Sequence, residues 1–179
     1  AGEKVILHAE DAVENGQKLS LIASFEEGAD AFDDVPALAG EVLAYRPFPD
    51  AWTIHEHVVH VLESDMAGFH RYRRAIAEPG TAVLGYDEEV WTPALAYHTH
   101  DLGATIGLLK AERHYAAAHL RAIAGADWSA YSYRHSQFGL VSLEKWLGDY
   151  VEHVRVHREY VDRNLRLWTE STASGRTER

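Results

Sequence analysis

Apolar residues recur at helical spacing in four long stretches of this chain, separated by segments rich in polar residues, proline or glycine. Leu19, Ile22, Ala23, Phe25, Ala29 and Phe32 form a stripe at steps of mostly three and four, which predicts a helix over about 9–33. Pro36 breaks or restarts it. Arg46-Pro47-Phe48-Pro49-Asp50 reads as a rigid connector, because each proline locks φ and restricts the residue before it. Asp50 or Thr53 can cap the second helix, and Thr53 with Glu56 has the Thr-x-x-Glu form of a capping box. That helix carries Ile54, Val58, Val61, Asp65, Phe69 and Tyr72 on one face and runs to about Ala77, where Pro79-Gly80 ends it. Leu102, Ile106, Leu109, Arg113, Ala116 and Leu120 mark a third helix from about Asp101 to Ala124, stopped by Gly125. A fourth covers about 141–167.

Strand signals are weak, since no alternating run is bracketed by a hairpin turn. The pattern therefore predicts an all-α protein, an antiparallel four-helix bundle with long connections after helices 2 and 3. Residues 1–168 read as one domain and 169–179 as a flexible polar tail without an apolar face.

Composition narrows the chemistry. A chain of 179 residues that is 46% hydrophobic and 25% charged can bury a core without covalent staples. With no cysteine, it can have no disulfide scaffold, cysteine-ligated zinc, iron–sulfur cluster or thiol nucleophile, and a cytoplasmic location is expected. A net charge of −11 opposes binding to nucleic acid or anionic lipid. No apolar run reaches the about 18 residues of a membrane helix. Val5 to Leu7, followed by Glu10 and Asp11, is too short a stretch for a signal peptide. Walker, nucleophile-elbow and dinucleotide-binding motifs are absent, as is His-Glu-x-x-His. Glu112 and Glu144 lack the histidine three residues on that a di-iron bundle uses.

What stands out is 12 histidines. His153 and His157 are one helical turn apart and leave the same face. Leu143, Tyr150 and His157 are spaced by seven, as are Trp146, His153 and Tyr160, so both histidines fall on the apolar seam. Buried imidazoles need partners at both ring nitrogens, and one metal ion would serve both rings. A bundle site needs ligands from another helix, and the second helix offers His55, His57 and His60. Periodicity slightly prefers His57, which borders the apolar stripe. Glu63 and Asp65 could accept from an imidazole N–H or bind an ion directly. His135 precedes the fourth helix and could overhang the bundle mouth. His70 with Arg71, Arg73 and Arg74 reads as a solvated basic face, and His114 and His119 as exposed.

These residues resemble the DinB/YfiT-like superfamily of metal-binding four-helix bundles, over roughly 19–168. Arg46-Pro47-x-Pro49-x-x-Trp52-Thr53-Ile54-x-Glu56 is similar to that family's entry into helix 2, and the step from Trp52 to His60 matches its spacing to the first ligand. Tyr86-Asp87-Glu88 with Trp91 resembles its segment after helix 2. His135, Gly139, Ser142-Leu143 and Tyr150 lead into His153-x-x-x-His157 as they do in the YfiT branch. The resemblance implies His60, His153 and His157 as ligands of one divalent metal ion, with His57 standing where the family usually has an apolar residue. His135-Ser136-Gln137 stands where that branch tends to have His-Pro-Glu.

Three neutral histidines leave coordination positions open, the catalytic pattern. Zinc or nickel is the first expectation and iron or manganese the second. The family precedent favours an enzyme that activates a low-molecular-weight thiol for S-transfer to an electrophile. Its alternatives are a hydrolase that activates water on the metal and a non-catalytic metal-binding or stress-associated bundle. Arg134, Arg155 and Arg158 are candidates for a cofactor carboxylate. The resemblance also implies a homodimer acting on a small-molecule substrate, and Trp128 and Trp168 are candidates for its surface.

Overall fold

The computed structural model describes residues 9–177, and the side chains of 14–173. His8 and the stretch read against a signal peptide lie at least partly outside the described residues. The helices are α1 (Ala9–Glu27), the short α2 (Gly40–Leu43), α3 (Ile54–Ala77), the short α4 (Glu88–Ala94), α5 (Leu102–Ala122) and α6 (Leu143–Thr177). The four long ones match the four periodic stretches. α3 packs along both α5 and α6, and so does α1. Helices α1 and α3 therefore lie diagonally across the bundle, as do α5 and α6. Long connections follow α3 and α5.

Local chemistry sets the element ends. Thr53 and Glu56 form a full capping box: the Thr53 hydroxyl accepts from the Glu56 N–H at 3.1 Å, and Glu56 accepts from the Thr53 N–H at 2.8 Å. Arg46, from the proline-rich connector, grips both oxygens of the Glu56 carboxylate at 2.8 and 2.9 Å. Asp101 caps α5 through the Ala104 N–H. The first helix is shorter than its stripe predicts, because α1 ends at Glu27 and a 3-10 turn covers Gly28–Asp30. Arg113 takes the Phe25 carbonyl there at 2.9 Å, and a Cβ on Gly28 would lie 2.8 Å from its guanidinium.

The all-α expectation needs correction. The two long connections pair as a small sheet of β1 (Thr81–Val83), β2 (Ser132–His135) and β3 (Gly139–Ser142). β1 runs parallel to β2, with Val83 opposite His135, and β2 runs antiparallel to β3, with His135 opposite Gly139. Gly139 takes φ 72° where the chain reverses, a conformation that favours glycine. Two further expectations change. The stretch from Thr169 continues α6 to Thr177, so the helix outlasts its apolar face. Trp128 is buried, with its indole N–H donating to the Ile123 carbonyl, and is no surface candidate.

The core has two apolar clusters. One gathers around Tyr72, Trp146 and Leu120, the other around Ile54, Val58 and Leu109. Between them lies a buried ion pair. Arg113 of α5 is fully buried and binds both carboxylate oxygens of Asp65 on α3. Its remaining donors reach the carbonyls of Phe25 on α1 and Tyr150 on α6. One guanidinium thus ties all four long helices. Asp65 is spent on this pair. Among the described residues no helix is long and apolar enough to cross a membrane.

Candidate metal centre

The capping box fixes where α3 begins, and so where His57 and His60 stand. His153 and His157 come from the facing stretch of α6. The three histidines His60, His153 and His157 each offer a ring nitrogen, all within 4.8 Å of one another. The Nε2 atoms of His60 and His153 are 3.1 Å apart. Ring centroids are 4.8 Å apart for His60 and His157 and 4.5 Å for His153 and His157. Trp52, the residue before the N-cap of α3, lies against the cluster with its ring 4.7 Å from that of His60. Asn164 of α6 holds its carbonyl at 2.9 Å.

His57 lies outside that group of three but touches it. Its Nδ1 is 3.1 Å from Nδ1 of His157. It sits behind His157, on the ring edge turned from Nε2.

Burial sets the electrostatics. Desolvation, reinforced by neighbouring imidazoles, lowers His60 to about 3 and pushes His157 lower still. Desolvation, with a contribution from Arg113, lowers His153 to about 4. His57 is also lowered to about 4, by desolvation and by Arg163. All four are neutral at pH 7, with lone pairs available. The Nδ1 atoms of His60 and His153 are buried without a hydrogen-bond partner, as is Nε2 of His57.

These donors fit a divalent ion. Two nitrogens held 2.0–2.1 Å from one tetrahedral ion lie about 3.3 Å apart, close to the His60–His153 separation. Three buried neutral rings crowded around one point would otherwise compete for too few protons.

A cavity of about 250 Å³ opens beside the cluster, with His60 and His153 in its wall. Ser64 and Arg71 of α3, Tyr150 of α6, and Tyr86, Tyr133 and His135 from the connections also line it. His135 is a buried residue of this wall. Its ring stacks on Phe138 at 4.7 Å, and its Nδ1 accepts from the Gln137 N–H at 3.2 Å. Tyr150 donates to the Ser64 carbonyl at 3.0 Å, and a Cβ on Gly68 would collide with its ring. Burial pushes the Tyr133 hydroxyl up to about 12 and the Tyr150 hydroxyl up as well. Both stay protonated.

Other candidates fall elsewhere. Glu63 is half-buried and is neither in the cluster nor in the cavity wall. His55 faces the His100 carbonyl at 2.9 Å, and His114 is exposed beside the Lys110 carbonyl. Arg134 is exposed on β2, Arg155 pairs with Glu152 and Glu159, and Arg158 pairs with Asp34 and Asp162. None of these arginines lines the cavity. Arg71, read from sequence as part of a solvated face, does. Its signal is its place in register with His60 and Ser64, which the neighbouring Arg73 and Arg74 mask.

The sequence model of the DinB superfamily matches residues 24–161. YfiT of Bacillus subtilis is 27% identical over 116 residues, covering 64% of this chain and 65% of its own. OB0782 of Oceanobacillus iheyensis is 24% identical over 110 residues, covering 62% of this chain and 63% of its own. Both are provisionally named metal-dependent hydrolases. The match spans just under two thirds of each of these curated relatives. The solved structure of Bacillus subtilis YfiT aligns with a TM-score of 0.77 at 23% identity, over 93% of this chain and 92% of that one. It is described as a four-helix bundle of unusual topology. At that identity the likeness is one of fold.

Proposed function

The chain belongs to the DinB superfamily, and from that premise we propose that it holds one divalent metal ion on His60, His153 and His157 and hydrolyses a small-molecule substrate. The observation that carries this reading is the convergence of three ring nitrogens from His60, His153 and His157, with His60 and His153 3.1 Å apart and both in the wall of a cavity. The provisional names of the two relatives support it.

An ion bound there supplies Lewis-acid activation, bringing a coordinated water or thiol toward neutral pKa. The protein residues do the rest. Desolvation keeps the three imidazoles neutral, so none needs to lose a proton before binding. His57 orients the ring of His157 through its outer nitrogen. Trp52 covers the His60 side of the cluster. The cavity admits substrate along the His60 and His153 edge, and His135 and the tyrosines supply polar contacts. Three ligands leave positions for water and substrate. Neutral nitrogen donors suit zinc or nickel, and also iron or manganese.

Thiol S-transfer would use the same centre with a low-molecular-weight thiol. No residue of the cavity wall singles out a thiol, so hydrolysis leads.

Elemental analysis of the purified protein, before and after chelation, tests the proposal. The expected result is near one divalent ion per chain, lost in His153→Ala, together with ester or amide hydrolysis that requires the ion. Protein that takes up no metal on addition would overturn the proposal. So would full metal occupancy with activity only in thiol-conjugation screens.

A further inference from the structure

The geometry points to an anion subsite at Arg71, and we propose that the substrate carries a carboxylate that this guanidinium binds. The inference deepens the reading above, because it takes the cavity beside the histidines as the substrate cavity.

The placement follows from helix geometry. His60, Ser64 and Arg71 stand at i, i+4 and i+11 on α3, so they share one face, and all three line the cavity. Eleven residues advance a helix by roughly 16 Å. Helical side chains lean toward the N-terminus, so the long arm of Arg71 covers part of that distance toward His60. The gap left is the length of a small molecule, in keeping with a volume of about 250 Å³.

The guanidinium is held but not consumed. Among the described residues its one hydrogen bond is to the Leu84 carbonyl at 3.2 Å. It lies over the Tyr86 ring at 5.9 Å, and that ring is stacked on Trp91 at 4.3 Å. Arg46, Arg74, Arg113, Arg121, Arg155 and Arg158 are each paired with a carboxylate. Among the described residues Arg71 forms no ion pair, which leaves most of its five donors for a planar oxyanion.

Two carboxylates also line the cavity. Asp149 is neutralised by Lys145 at 2.7 Å, and Glu88 pairs with no cation among the described residues. With a divalent ion at the histidines the cavity would be positive overall, and Arg71 is the one Lys or Arg side chain among its lining residues. A substrate bridging the two presents its reacting group to the metal and its carboxylate to the arginine.

Calorimetric titration of the zinc-loaded protein with acetate, succinate and benzoate, each against its neutral amide, tests this. At least one carboxylate is expected to bind the wild type roughly tenfold or more tightly than its amide. Arg71→Met, which keeps the apolar stem, is expected to lose that preference, and Arg71→Lys to recover part of it. Circular dichroism confirms the fold, and zinc stays near one per chain in every variant. Equal carboxylate affinity in Arg71→Met would overturn the subsite, and so would the absence of any carboxylate preference in the wild type. A wild type that holds no zinc would sink the metal reading instead. The same titrations on that protein still judge Arg71 by the same two outcomes.

Discussion

His57 and His157 face each other through their Nδ1 atoms at 3.1 Å. Were His157 to hold a metal ion through Nε2, its Nδ1 would carry the proton and donate it to His57, and that bond would fix the tautomer and the ring plane of His157. Replacing His57 with leucine is expected to weaken zinc binding by roughly 10- to 100-fold while the stoichiometry stays at one. Competition against a chromophoric chelator measures this, and an unchanged affinity would show that His57 merely fills space.

The three proposed ligands are expected to behave differently. His60→Ala, His153→Ala and His157→Ala are each expected to abolish stoichiometric metal. His114→Ala, at an exposed position on α5, is expected to leave it intact. Metal retained in full by His157→Ala would remove that residue from the site.

The Arg113–Asp65 pair predicts a stability effect separate from metal. Asp65→Ala leaves a fully buried guanidinium without its counter-charge, at a cost of about 3–5 kcal/mol. Urea melts of the variant should show this, with zinc per folded chain unchanged. A loss below about 1 kcal/mol would mean that the carbonyls of Phe25 and Tyr150 suffice to hold the guanidinium.

Acid and alkali act on different groups. His57, His60 and His153 are lowered to between about 3 and 4 from an ordinary 6.5, so below pH 6.5 the unfolded chain binds more protons than the folded one. Stability of the metal-free protein is therefore present above about 6.5 and is lost as pH falls toward 4. Glu112 has the opposite sign. Burial, with the charge of Asp65, raises it from 4.5 to about 8, and its Oε2 is buried without a partner. Its contribution is present below about 4.5 and is lost as pH rises through 8. Glu112→Gln should melt close to the wild type at pH 5 and clearly above it at pH 9. Parallel melting curves across that range would contradict the assignment.

Much of this was legible in the chain. The four long helices follow from apolar spacing, and the capping box reads directly from Thr53 and Glu56. His153 and His157 announce themselves by one-turn spacing on an apolar seam. Between His57 and His60 periodicity leans to His57, whereas packing sets both against α6, His60 beside His153 and His57 behind His157. The sheet is invisible because its strands are three or four residues long and pair across distant connections. Burial of Asp65 reads as a polar residue on a core face, and its partner Arg113 as another, but only packing shows that they meet. Arg71 is hidden by its neighbours, since a run of basic residues looks solvated whichever one of them turns inward.

The parallel pairing of β1 with β2 joins the two connections into a single rim, while the histidines stand on α3 and α6. The cavity rim and the histidine cluster thus belong to different parts of the chain. Tyr86, His135 and Gln137 belong to those connections and not to the turn of helix that carries His60 or the one that carries His153 and His157. A scaffold partitioned in this way can change the connection side of its cavity while the helical side, with Ser64, Arg71 and Tyr150, stays in place.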